Sequence, residues 1–325
     1  MNKIDVIKAG IFGTVVADAL GVPVEFTSRS ERQENPVTGM REYGTHNQPI
    51  GTWSDDSSMM LGTLDSIGEN GCIDLNDIML RFSQWKHADA YTPHGSVFDI
   101  GFTCSKAIER YLAGYDPVEC GGKGERDNGN GSLMRIMPAS LYVVYKYGNS
   151  DIPSDEAIKC ISNVSSLTHA HPRSQIACVL YTAMCTEMIV REGRSLEEVL
   201  TQAVKKVRLS YLMKTKELAK ETEKYIRMWD MAEFARLPEN EIKSSGYVVD
   251  TLEAAVWCLL NAKSYSECVL KAVNLGDDTD TVGAVAGGLA GLWYGYDNIP
   301  KEWLDVIVKK EWIEDLCNCF EKVIS

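Results

Sequence analysis

The 325-residue sequence predicts an all-α fold. Three observations predict it. Apolar residues recur at steps of three and four rather than two. Serines and aspartates stand ahead of several of these runs, where helix N-caps belong. No segment alternates apolar and polar residues as a half-buried strand would.

The elements follow in order. Ile4, Ile7, Ile11 and Val15 form one apolar stripe of a first helix. Thr27 to Thr52 is polar, is broken by Pro36, Gly39, Gly44 and Pro49, and reads as a long loop. Ser54 is placed to cap a helix carrying Met59, Met60, Leu61, Leu64 and Ile67. Ile78, Phe82 and Trp85 mark the next helix. Glu119 to Ser132 is a second loop, with Gly121, Gly122, Gly124, Gly129 and Gly131 beside Asp127, Asn128 and Asn130. Loops of this length in a folded domain are usually functional.

Ser154-Asp155-Glu156 and Ser266-Glu267 read as helix starts, and Ser195-Leu196-Glu197-Glu198 as a capping box. Leu212 to Ala235 mixes Lys and Glu and reads as a solvated surface helix. Val248, Leu252, Val256 and Leu259 share one helix face. Val282 to Tyr296 reads as a buried core helix, shorter than the roughly 20 residues a bilayer span requires. With no repeat and no Pro/Gly-rich linker, a single domain over residues 1–325 is expected.

Composition narrows the function. The net charge of −13 argues against a nucleic-acid binder, which needs a basic face. It leaves room for a nucleotide ligand if metal ions supply positive charge. Ten cysteines without a CxxC pair, several set among apolar residues, indicate reduced thiols and a cytoplasmic protein. Asp5 interrupts the early apolar run, so no secretory leader is expected, and no membrane partner either.

Two acidic clusters dominate the chemistry. Ser54-Asp55-Asp56 opens one helix and Asp278-Thr279-Asp280-Thr281 opens another. Acids in a first helical turn favour the helix dipole by roughly 0.3–1 kcal/mol each, which suffices for one cluster alone. Capping needs a single acid or hydroxyl, so the second cluster carries a surplus. Burying that much negative charge beside a core helix is costly without a cation. Carboxylates and hydroxyls suit hard divalent cations, and the absence of Cys and His from both clusters disfavours zinc.

The surroundings of the clusters resemble a known family. Ala17-Asp18-Ala19-Leu20-Gly21-Val22-Pro23-Val24-Glu25 comes first. Trp53-Ser54-Asp55-Asp56-Ser57, Phe98-Asp99-Ile100-Gly101 and Gly129-Asn130-Gly131-Ser132-Leu133-Met134-Arg135 follow. Thr168-His169 and Asp277-Asp278-Thr279-Asp280-Thr281 complete the series. Taken in order over nearly the whole chain, these motifs resemble those of the ADP-ribosylglycohydrolase family.

The resemblance implies a compact multi-helix domain around a central binuclear Mg²⁺ or Mn²⁺ centre. The implied ligands are Ser54, Asp55, Asp56, Asp278, Asp280 and Thr281. Glu25 and Asp99 would lie beside the metals as acid/base or substrate-orienting groups. Asn130, Gly131 and Ser132 would line an ADP-ribose cleft, with His169 close by. The implied reaction is hydrolysis of the bond between ADP-ribose and a modified protein side chain, arginine first. Serine-linked ADP-ribose, small molecules such as O-acetyl-ADP-ribose, and a non-catalytic crystallin-like role are the alternatives. A phosphohydrolase on an unrelated helical fold would release phosphate instead. Three positions depart from the family pattern: Ser54 for Thr, Ala17 for Gly and Asp277 for Gly, the last adding an acid near the metals.

Plainer readings stand beside these. Asp99 would serve as an N-cap for a helix reaching Leu112. Gly121-Gly122-Lys123-Gly124 lacks the ending of a P-loop and reads equally as a flexible loop or a ligand cradle. His169 and His171 suit hydrogen bonding better than a metal pair, with Pro172 ending their helix. His46, His87 and His94 form no convergent pattern, and Trp53, Trp257 and Trp293 read as core.

Overall fold

The computed structural model describes residues 2–148, 153–212 and 214–324. Its regular structure is helical, and the described residues form no strands, only isolated bridges. The longer helices are α1 (Lys3–Gly21), α2 (Asp55–Asn70), α3 (Leu75–Ala88), α4 (Phe102–Leu112), α5 (Met137–Tyr147) and α6 (Asp155–Ser166). They continue as α7 (Pro172–Ile189), α8 (Leu196–Leu212), α9 (Val248–Leu260), α10 (Tyr265–Asn274), α11 (Thr279–Tyr294) and α12 (Lys310–Ile324).

The centre of the fold is the crossing of α1 and α11. Both helices are buried on nearly every side, so neither shows an amphipathic stripe. α1 is long and apolar enough to cross a bilayer, yet nearly all of it is covered by the rest of the fold. The two backbones touch because small residues face each other. A Cβ on Gly13 would lie 2.5 Å from the Gly287 carbonyl oxygen, and one on Gly21 would lie 2.5 Å from the Asp280 backbone. A Cβ on Gly291 would overlap the Ala9 carbonyl. Gly13→Ala should therefore force the helices apart and cost about 3 kcal/mol. A urea midpoint equal to that of the parent would contradict this crossing.

Around the pair, α2 packs against α12, α7 against α8, and α9 and α10 against α11. A smaller apolar cluster of Ile78, Phe82, Trp85, Ile108, Met134 and Leu167 sits under α3 and α4.

Several sequence expectations need correction. Leu212 to Ala235 is not one surface helix. It breaks into Lys216–Thr222, a 3₁₀ stretch Glu223–Trp229 and Met231–Ala235, and Met213 lies outside the described residues. Tyr225, Met228, Met231 and Phe234 anchor it in the core, which a solvated helix would not do. The start of α10 is capped by Ser264, whose Oγ accepts the Glu267 amide at 3.1 Å, rather than by Ser266. Pro172 opens α7 instead of ending a helix, and His171 is its N-cap. Gly101, not Asp99, is the N-cap of α4. The Thr27–Thr52 loop contains a short helix, Arg29–Glu34, with a complete capping box at Ser28 and Glu31. The capping box at Ser195 and Glu198 forms as expected. All ten cysteines are free thiols.

Candidate active site

The C-terminal end of α1 delivers Asp18, fully buried. Its carboxylate accepts the amides of Ser54 at 3.0 Å and Ser57 at 3.1 Å, so it binds the N-terminus of α2. Burial pushes Asp18 up to about 6 despite these bonds. The Ser54 hydroxyl accepts the Asp56 amide at 3.3 Å and caps the same helix. Asp55 and Asp56 thus stand in the first turn of α2, as the capping pattern required.

The second cluster is set by the start of α11. Thr279 Oγ1 donates to the Gly21 carbonyl at 2.8 Å and locks α11 to α1. The Thr281 hydroxyl donates to Asp56 Oδ1 at 3.3 Å and joins the two clusters directly. Asp280 is 2% exposed and packs against the same space. Paired backbone bonds bring in the segment after α1: the Phe26 amide donates to the Asp277 carbonyl and the Asp277 amide to the Thr27 carbonyl, both at 2.7 Å.

These elements bound a cleft of about 360 Å³. Glu25, Asp55, Asp56, Asp99 and Asp278 line it, together with Gly129, Asn130, Gly131, His169 and Thr281. Among the described residues, no Lys or Arg side chain lines it. Carboxyl oxygens of Glu25, Asp278 and Asp280 lie within 4.8 Å of one another. The electrostatics follow from this crowding. Burial first, and then Asp99 and Glu25, holds the Asp55 carboxyl well above the usual range. Burial, Asp18 and Asp55 do the same to Asp56, and burial, Glu25 and Asp56 to Asp280. Glu25 is raised to about 7, mainly by burial. Asp56 Oδ2 and Asp278 Oδ1 are buried without any hydrogen-bond donor. Orphaned carboxylate oxygens in a cluster of raised acids are what a site for hard divalent cations presents.

The glycine-rich loop divides in two. The amides of Gly121 and Gly122 donate to the Ser166 and Thr168 carbonyls and are bound inward, whereas Lys123 and Gly124 are exposed, with the Gly124 amide donating to Asp127; none of the four lines the cleft. Gly129 to Gly131 face the cleft. Asn130 Nδ2 donates to Asp278 Oδ2 at 2.8 Å and to Thr251 Oγ1 at 3.0 Å, tying the loop to the metal-type cluster. Ser132 does not reach the cleft surface. It is fully buried, within 3.0 Å of Ser165 Oγ. His169 is buried against the loop, and desolvation lowers it to about 3, so its ring is neutral.

Asp277 turns away from this space. It is exposed, borders a neighbouring depression with Thr27, Arg29 and Lys243, and takes φ +64°. A left-handed residue explains the glycine of the family pattern, and Asp is among the residues that tolerate that conformation best.

Two contributors escaped the sequence reading. His46 Nε2 bonds Glu25 Oε2, and this contact raises the imidazole. Residues 244–248 brace the cleft wall: Asp278 N donates to the Ser244 carbonyl at 3.1 Å and Asn130 N to the Gly246 carbonyl at 3.1 Å. A Cβ on Gly246 would come within 3.1 Å of Asp278 Oδ2, so a side chain there would press on that carboxylate. Trp53 and Trp257 are core as expected, whereas Trp293 is half-buried under the Arg191 guanidinium.

Comparisons with known proteins agree with this geometry. The ADP-ribosylglycohydrolase family model matches residues 1–324. An ADP-ribosylarginine hydrolase of Serratia proteamaculans is 31% identical, over 97% of this chain and 78% of its own length. The ADP-ribosyl-[dinitrogen reductase] glycohydrolase of Rhodospirillum rubrum is 29% identical, over 92% of this chain and 90% of its own. A solved structure described as an ADP-ribosylglycohydrolase-related protein complex superposes with a TM-score of 0.79 at 28% identity, covering 99% of both chains. The helical frame, the acidic cleft and these relatives lead to one conclusion: the chain is a hydrolase and belongs to the ADP-ribosylglycohydrolase family.

Proposed function

We propose that this hydrolase releases ADP-ribose from a modified protein side chain, arginine first, and that it works with two divalent cations, Mg²⁺ or Mn²⁺. The observation that carries the reading is the cleft itself: five carboxylates, no lysine or arginine among the described lining residues, and the orphaned oxygens of Asp56 and Asp278. Asp55, Asp56, Asp278 and Asp280 would hold the cations with Ser54 and Thr281. Each of those hydroxyl oxygens keeps a lone pair beyond its present hydrogen bond. Bound cations would supply Lewis acidity at the ribose end of the substrate.

The residues of the chain supply the rest. Cleaving C1″ from the acceptor passes through an oxocarbenium-like state, which a wall of carboxylates stabilises. Glu25 is the group placed to move a proton. It borders the cleft, His46 fixes its Oε2, and a carboxyl near 7 exchanges protons readily at neutral pH. Asp99, whose carboxylate lies within 4.8 Å of Glu25 and His46, would orient the acceptor. A cleft of this sign admits the cationic guanidinium of a modified arginine, and two relatives carry ADP-ribosylarginine hydrolase as their name.

Incubation with ADP-ribosyl-arginine and ADP-ribosyl-serine peptides tests this. Free ADP-ribose should appear from the arginine substrate with Mg²⁺ or Mn²⁺ and be lost in chelator. Release from the serine substrate alone would move the acceptor to serine, and release from neither would remove the reading.

A further inference from the structure

We propose that Arg135 and Thr168 are positioning residues that fix His169 with its proton on Nε2, and that this N–H is a donor offered by the cleft to an oxygen of the ADP-ribose diphosphate. The identity of that oxygen rests on the proposed function; the tautomer does not.

The chain of bonds begins at Arg135. Its side chain is fully buried on the inner side of the glycine loop, with its guanidinium 4.8 Å from the Phe82 ring. No carboxylate pairs with it among the described residues, and Nε and Nη1 have no partner. Nη2 reaches the Val164 carbonyl at 3.1 Å and Thr168 Oγ1 at 2.8 Å. A guanidinium can only donate, so Thr168 Oγ1 is the acceptor of that bond.

Thr168 is itself fully buried, and its Oγ1 lies 2.9 Å from His169 Nδ1. Two arrangements exist. If Nδ1 carried the proton, Oγ1 would receive two donors and its own hydrogen would be left to the Cys104 sulfur beside it, a weak acceptor. If Nδ1 is bare, the hydroxyl donates to it, and Oγ1 and Nδ1 are both satisfied. The imidazole nitrogen is the stronger acceptor, so Nδ1 accepts and the proton sits on Nε2.

The ring is held in place. The His169 amide donates to the Ser165 carbonyl at 2.8 Å, and its carbonyl accepts Ser165 Oγ at 2.9 Å. A Cβ on Gly131 would approach Cε1 to 2.9 Å, so the loop leaves a slot cut for the imidazole. Burial and the nearby Arg135 charge keep the ring neutral. Nε2 has no protein partner among the described residues, while the ring borders the cleft. Asn130 Nδ2 is already committed to Asp278 and Thr251. His169 Nε2–H is therefore the uncommitted side-chain N–H of a wall otherwise rich in carboxylates, and an anionic oxygen is its natural acceptor.

Nitrogen-15 NMR of the labelled full chain reads the tautomer, with His169 assigned by its disappearance in His169→Gln. The expected result is a neutral ring protonated on Nε2 between about pH 5 and 8. Calorimetry with ADP-ribose and Mg²⁺ reads the consequence. Thr168→Val should weaken binding about tenfold, and Thr168→Ser should restore it. A proton on Nδ1 in the parent protein overturns the proposal, even if Thr168→Val fails to fold. Undiminished binding by a folded Thr168→Val protein also overturns it. Failure of the functional reading looks different: the parent protein would bind no ADP-ribose while His169 kept its Nε2 proton.

Discussion

Asp56→Asn should lose about a thousandfold in turnover and yet, freed of metal, melt at a higher temperature than the parent protein. The two effects have one origin. Asp56 is 1% exposed, one of its oxygens has no donor, and Asp18 and Asp55 press on it electrostatically. An amide of the same shape removes the like charge and adds N–H donors for neighbouring carboxylates. The expected gain is on the order of 2 °C in chelator. On the proposed two-cation reading, the loss in turnover would reflect several kcal/mol of cation-dependent stabilisation at the reacting centre, and each 1.36 kcal/mol is tenfold in rate. Steady-state assay with Mg²⁺ and scanning calorimetry with chelator check the two halves separately. Activity near that of the parent would sink the metal-site assignment. A lower melting temperature in chelator would sink the repulsion argument.

The metal-free parent protein should also lose stability as the pH rises from about 4.5 to about 7, by roughly 1–2 kcal/mol per pH unit. Glu25 is raised to about 7, and Asp55, Asp56 and Asp280 are raised well above ordinary aspartate, all chiefly by burial. A raised carboxyl binds its proton more tightly in the folded chain than in the unfolded one. Its contribution is complete below the unfolded value and disappears as the pH climbs through the folded value. His169 acts in the opposite sense, because its lowered value makes the folded state lose stability below about 6.5. Several raised carboxyls outweigh that one opposing histidine, so the net slope stays negative. Two cations, each at a hundredfold its dissociation constant, should add about 5 kcal/mol. That corresponds to a rise of roughly 10 °C, larger at the alkaline end of the window. A flat profile in chelator, or no response to Mg²⁺ and Mn²⁺, would contradict the cluster's role.

The parts of this fold that sequence reveals are those whose signals are local. Ser54 could be recognised as a cap because the cap, the first-turn acids and the apolar face lie within one short run. Ile4, Ile7 and Ile11 marked α1 by spacing, although the helix proved buried all round. What was hidden depends on contacts distant in sequence. His46 sits in a loop without periodicity, and only folding brings it to Glu25. Ser132 shares a motif with Asn130 and Gly131, yet the turn after Gly131 sends its hydroxyl inward to Ser165. Around Tyr225 and Met228, alternating Lys and Glu masked the few large apolar residues that pin the segment down. Asp277 was the reverse case. Read in the sequence as an added acid near the metals, it takes a left-handed backbone position and borders a neighbouring depression instead.

The α1–α11 crossing has a consequence for biosynthesis. α1 is made among the first residues, and the helix that covers its small-residue face starts only at Thr279. At about 5–20 residues per second, α1 waits roughly 13–50 s for that partner. During this interval a largely apolar helix stands without its cover, a natural client for chaperones acting on nascent chains. Gly21 and Asp280 meet only at the end of that wait, so the two acidic clusters come together late, by the same docking event that closes the core.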